Sequence, residues 1–138
     1  ITIFQHAIEV TDKKYPGFGI AYNNLAIAQF GEQKIKEAIY NLKMAIQLRP
    51  KDFKAHQNLG VALFTDQKIR EAIYHYKKAI KLNPNYAKSY FNLGEAQIQQ
   101  GKIKKAIHNF RKTLNLKPNH AKAKNSLRLA LLRRQEIQ

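Results

Sequence analysis

Residues Ala55–Pro84 read AHQNLGVALFTDQKIREAIYHYKKAIKLNP, and the same pattern returns on either side. Forward, Ser89–Pro118 reads SYFNLGEAQIQQGKIKKAIHNFRKTLNLKP; backward, Ala21–Pro50 reads AYNNLAIAQFGEQKIKEAIYNLKMAIQLRP. Pro50, Pro84 and Pro118 recur every 34 residues, as do Leu25, Leu59 and Leu93, and Ala38, Ala72 and Ala106. A period this regular marks a repeat architecture in which each unit is one supersecondary element.

Within the unit, Ala55, Leu59, Ala62 and Leu63 fall on one face of a helix. Thr65-Asp66-Gln67-Lys68 is short and polar. Ile69, Ala72, Ile73, Tyr76, Ala79 and Ile80 then form a second stripe at helical spacing. Asn83-Pro84-Asn85 closes the unit, because proline cannot continue a helix. Each unit is therefore helix–turn–helix, and stacked neighbours bury what one unit alone cannot. Helices are expected at 18–31, 34–48, 52–65, 68–82, 86–99 and 102–116, with a last one from Asn119, its N-cap, to Arg134. Gly60 and Gly94 sit mid-helix, where glycine costs about 1 kcal/mol relative to alanine. Close approach of the paired helix at the small Ala72 and Ala106 is the expected compensation, with Ala26 facing Ala38 in the first unit. Tyr76, Phe110 and Leu42 are expected to fill the space between units.

The 34-residue period, the Leu-Gly or Leu-Ala pair, the small alanines, the intervening aromatic and the closing proline resemble the tetratricopeptide repeat (TPR). The resemblance spans nearly the whole chain and implies an all-α, right-handed superhelical solenoid of antiparallel helix pairs. It divides the single domain, residues 1–138, into repeats at 19–52, 53–86 and 87–120. Residues 1–14 then read as the second helix of a truncated repeat, and 121–138 as a C-terminal capping helix with a polar outer face. Gln33 and Gln67 depart from the pattern where the third repeat has Gly101. So does Thr113, in place of the second small alanine, and so do Tyr22, His56 and Tyr90, where the family often has tryptophan.

Of 138 residues, 25 are Lys or Arg and 9 Asp or Glu, for a net charge of +16. The excess is uneven. Residues 1–50 carry 6 basic and 4 acidic side chains, residues 51–100 carry 8 and 4, and residues 101–138 carry 11 and 1. There is no cysteine, hence no disulfide framework and no thiolate metal site; this composition suits a reducing, cytoplasmic setting. No apolar run reaches the ~20 residues of a membrane span. His6, His56, His75, His108 and His120 take unrelated places in the repeat. No nucleophile–base or metal-ligand spacing is visible, and no Gly-rich phosphate loop. The expectation is a non-enzymatic chain without cofactor or metal.

The family resemblance implies that the first helix of each repeat lines a concave groove. That helix carries two ladders, Asn24, Asn58, Asn92 and Lys54, Lys88, Lys122, beside the apolar Ile27, Val61, Phe64 and Phe91. An asparagine amide offers donor and acceptor together and suits a peptide backbone. The ladder is similar to that of the O-linked N-acetylglucosamine transferase repeats. Chaperone-binding members grip a terminal carboxylate with lysine, asparagine and arginine. Asn58 and Lys88 match two of those places, whereas Asn23, Ile27 and Asn92 replace a lysine, an asparagine and an arginine. The reading is a protein-interaction scaffold for an extended or helical, acidic peptide. One alternative is a basic surface for nucleic acid or another anionic polymer, built on Lys34, Lys68, Lys102, Lys36, Arg70, Lys104, Lys43, Lys77 and Arg111. Another is a regulatory or targeting segment of a larger enzyme such as a glycosyltransferase. Self-association through the truncated N-terminal helix is a further expectation.

Overall fold

The computed structural model describes residues 17–137 and, before them, Ile3, His6, Val10 and Lys14. Among the described residues there is no strand. The helices are α1 (Phe18–Gly31), α2 (Ile35–Leu48), α3 (Phe53–Thr65), α4 (Ile69–Leu82), α5 (Ala87–Gln99), α6 (Ile103–Leu116) and α7 (Ala121–Ile137). The N-terminal half repeat, with the self-association expected of it, falls largely outside the described residues. Of its apolar side chains, Ile3 is 92% and Val10 47% exposed.

Three tight pairs form, α1–α2, α3–α4 and α5–α6, and α7 closes on α6. First helices also touch across pairs, α1 to α3, α3 to α5 and α5 to α7, whereas α2, α4 and α6 do not touch one another. The stack therefore bends with the first helices inside. That inner side is the concave face. No described helix is long and apolar enough to cross a membrane.

The turn inside each pair repeats in atomic detail. Lys34, Lys68 and Lys102 donate their backbone N–H to the carbonyls of Gln29, Leu63 and Gln97, while Gln33, Gln67 and Gly101 donate to Phe30, Phe64 and Ile98. This is the Schellman arrangement, which needs a left-handed residue after the helix. Gly101 takes it at φ 75°, but Gln33 and Gln67 are forced to φ 62° and 63°. A side chain in that region costs roughly 1–2 kcal/mol. Gln67→Gly should therefore stabilise the chain by about 0.5–1 kcal/mol after glycine's extra unfolded-state entropy is subtracted. Urea denaturation checks it, with Gly101→Gln expected to act in the opposite sense.

The glycines are explained differently from the sequence expectation. A Cβ on Gly60 would overlap Tyr76 Cε1, and one on Gly94 would lie 2.5 Å from Phe110 Cε1. The compensating contact is thus an aromatic ring laid on bare helix backbone, not an alanine methyl. Tyr76 and Phe110 pack within their own repeat and are 2% and 0% exposed. The first repeat pairs Ala26 with Leu42, both buried, so a larger first-helix residue meets a smaller second-helix one.

α3 is capped by Asp52, whose Oδ1 accepts from Lys54 N–H at 3.1 Å and Ala55 N–H at 3.3 Å. α7 starts one residue later than its expected cap implies and runs on to Ile137 rather than Arg134. His120, not Asn119, caps it, with Nδ1 accepting from Ala123 N–H at 3.0 Å. On α7, Arg128 stands where Gly60 and Gly94 stand earlier and donates to Asn125 at 2.8 Å. The outer face of α7 is only partly polar, since Leu129 and Leu132 are half exposed.

Candidate functional site

Two cavities lie along the concave face. The first, of about 160 Å³, is lined by Ala26, Ile27 and Phe30 of α1, Leu42 of α2, Asn58 and Val61 of α3, and Lys88 of α5. The second, of about 520 Å³, is lined by Asn85 and Tyr86 just before α5, by Ala87, Lys88, Phe91 and Asn92 in α5, by Leu116 and Lys117 at the end of α6, and by His120 and Lys122 at the start of α7. Lys88 lines both, so the two adjoin across its side chain.

The expected groove residues divide accordingly. Ile27, Asn58, Val61 and Lys88 meet in the first cavity, and Lys88, Phe91, Asn92 and Lys122 in the second. Asn24 and Lys54 are exposed and line neither. Phe64 is half-buried against the central core. Glu95, at the place of Ile27 and Val61, lines neither cavity. The amide ladder is wired between repeats, with Asn58 Nδ2 donating to Asn23 Oδ1 at 3.1 Å. Asn23 rather than Asn24 is its partner. That bond fixes the Asn58 side chain and leaves its oxygen as an acceptor. Sequence reasoning did not pick out Tyr86, Lys117 and His120, because they sit at the junction between repeats rather than on a helix ladder.

The polar interior of the stack follows repeat-specific rules. Asn41 donates to Gln29 at 2.7 Å and Asn109 to Gln97 at 2.6 Å. The second repeat has His75 and Leu63 at those places, so His75 needs another partner. It finds His56, Nδ1 to Nδ1 at 3.1 Å, with the rings stacked. His56 Nε2 meets the Pro50 carbonyl at 2.9 Å, as the Tyr90 hydroxyl meets that of Pro84 at 2.7 Å. A carbonyl only accepts, so His56 carries its proton on Nε2 and His75 must donate through Nδ1. Both rings are neutral in this arrangement.

Burial first, then His56 and Lys43, lower the His75 pKa from 6.5 to about 4. Burial also lowers that of His56; Lys78 adds to this, while the Pro50 carbonyl and Asp52 oppose it. The unfolded chain takes up a proton near pH 6.5 and the folded one only near pH 4. Stability should therefore fall as pH drops from 6.5 to 4 and level off below that. Thermal melts across that range check it. Replacing the device with the neighbours' pair, by Leu63→Gln and His75→Asn, should flatten this part of the profile.

Among the described residues no group of three or more His, Cys, Asp and Glu side chains could hold a metal ion. The patterns of the TPR repeat match residues 28–67 and 62–101, and that of the tetratricopeptide repeat matches residues 87–120. The chain belongs to the tetratricopeptide-repeat family. No curated protein sequence matches it. Among solved structures it is similar to the first TPR of Spaghetti (RPAP3) bound to the HSP90 peptide SRMEEVD. That match has 25% identity and a TM-score of 0.82, over 83% of this chain and 91% of the other. The first TPR domain of human RPAP3 matches at 26% identity and TM-score 0.82, over 88% and 98%. MamA matches at 28% and 0.83, over 95% and 77%.

Proposed function

We propose that this TPR array is a protein-interaction scaffold whose concave groove holds an extended, acidic peptide segment. The observation that carries the reading is that Lys88 borders both cavities, whose linings bring together apolar side chains, lysines and the amides of Asn58 and Asn92, the first of them held by Asn23. Of the five places where chaperone-binding relatives grip a carboxylate, Ile27, Asn58 and Lys88 line one cavity, Asn92 lines the next, and Asn23 is bonded to Asn58. The RPAP3 domain that carries the HSP90 peptide SRMEEVD has the same fold at 25% identity. Here Asn23 and Asn92 stand in place of two cations, and Ile27 in place of an amide, that would grip a chain terminus. The segment is therefore read by its backbone and side chains and has no need of a free C-terminus.

Asn58→Ala with Asn92→Ala should weaken an acidic peptide without unfolding the array, because each unpaired buried amide costs about 1–3 kcal/mol. Lys88→Glu should slow association more than it speeds dissociation. Lys77→Glu, at an exposed position of α4, should do little. Surface plasmon resonance with a peptide in free-acid and amidated forms decides the matter. Strict dependence on the free terminus, or loss of binding through Lys77→Glu with the asparagine pair harmless, would refute the reading.

A further inference from the structure

The two halves of the groove differ in chemistry, and the difference specifies the bound segment. We infer that the wide C-terminal cavity receives a cluster of adjacent carboxylates on the partner peptide, while an aliphatic side chain of the same peptide enters the narrow cavity next to it. This inference rests on the groove reading above and deepens it.

The wide cavity is lined by Lys88, Lys117, Lys122 and His120, and among the described residues no Asp or Glu lines it. Among the described residues none of the three lysines pairs with a carboxylate, unlike Lys34 with Glu32 at 2.9 Å and Lys68 with Asp66 at 3.6 Å. His120 spends Nδ1 on capping α7, so its neutral ring presents Nε2–H as a donor. Phe91 packs on that ring at 4.9 Å between centroids and walls the site. A single carboxylate cannot balance several cations facing one cavity. A run of acids can, and its approach is steered by the same field. At about 520 Å³ the space admits more than one side chain, against about 160 Å³ next door.

The narrow cavity says which kind of polyanion fits. Its walls are Ala26, Ile27, Phe30, Leu42 and Val61, with Asn58 and Lys88 as its polar groups. A dry apolar cavity near 150 Å³ accommodates a group the size of benzene. A nucleic-acid backbone has no aliphatic group to bury there, whereas a peptide does. Because Lys88 borders both cavities, the aliphatic residue and the acids must be close neighbours in the peptide.

Fluorescence anisotropy with short glycine–serine peptides tests this. One peptide carries a leucine beside a run of glutamates, a second keeps the leucine with glutamines, and a third keeps the glutamates with alanine. The first should bind tightest. Lys117→Glu with Lys122→Glu should weaken it about tenfold or more and erase the preference for glutamate over glutamine. The preference for leucine over alanine should survive. Retention of the glutamate preference in the charge-reversed protein would overturn the inference. So would tighter binding of phosphoserine in place of the glutamates, or of a single-stranded oligonucleotide. If the peptides bind but Asn58→Ala with Asn92→Ala leaves them unaffected, the groove reading fails. If none binds, both fail.

Discussion

Phe110→Ala should destabilise the array by about 3–5 kcal/mol, the range for emptying a fully buried phenylalanine site. The ring is 0% exposed and lies on the backbone of Gly94, so its loss leaves a void between α5 and α6 that neither helix can close alone. The same contact makes a sharper test possible. Gly94→Ala by itself should also destabilise, because its Cβ would sit 2.5 Å from the ring. Overpacking costs typically 1–3 kcal/mol, more than the roughly 1 kcal/mol that alanine gains in helix propensity. Gly94→Ala joined to Phe110→Leu recreates the combination at Ala26 and Leu42. The double variant should be more stable than the two single changes predict, with a coupling of about 0.5–3 kcal/mol. Urea denaturation of the four proteins measures it. Strict additivity would mean that ring and glycine do not constrain each other.

Leu59→Ala should cost about 2–5 kcal/mol. Leu59 is 1% exposed and sits in the core cluster shared by the first two repeats and α5. Leu25 holds the same place in the first repeat but is 49% exposed. Leu25→Ala should thus cost well under half as much, since burial rather than position in the repeat sets the hydrophobic gain. Equal losses at the two sites would mean that Leu25 is as buried as Leu59.

The helices were legible in the sequence to within one residue from α1 to α6, because three copies of one pattern fix both stripe and stop signal. The cap of α7 was placed one residue early, since an imidazole cap leaves no familiar signature, and its end falls three residues past the expected Arg134. The partner of each glycine was also misread. Ring direction along a helix decides which side chain covers which backbone, and residue spacing alone does not give it. A signal was nonetheless present in the sizes, Gly60 with Tyr76, Gly94 with Phe110 and Ala26 with Leu42. The histidine pair stayed hidden for a similar reason. His56 and His75 belong to two different repeat positions, and only helix pairing brings them together. For the candidate site, the 34-residue ladders place residues on a face but not at a depth. Asn24 and Asn58 are equivalent in sequence, yet only Asn58 reaches a cavity. Lys117 and His120 join the site because the α6–α7 junction lies beside the first turns of α5.

The central claim is that the concave face is the binding surface. Amide chemical-shift mapping with the leucine–glutamate peptide tests it most directly. The account predicts that the largest perturbations fall on Ile27, Asn58, Val61, Lys88, Phe91 and Asn92. Perturbations centred on Arg70, Lys77 and Lys104, with those six residues unmoved, would contradict it.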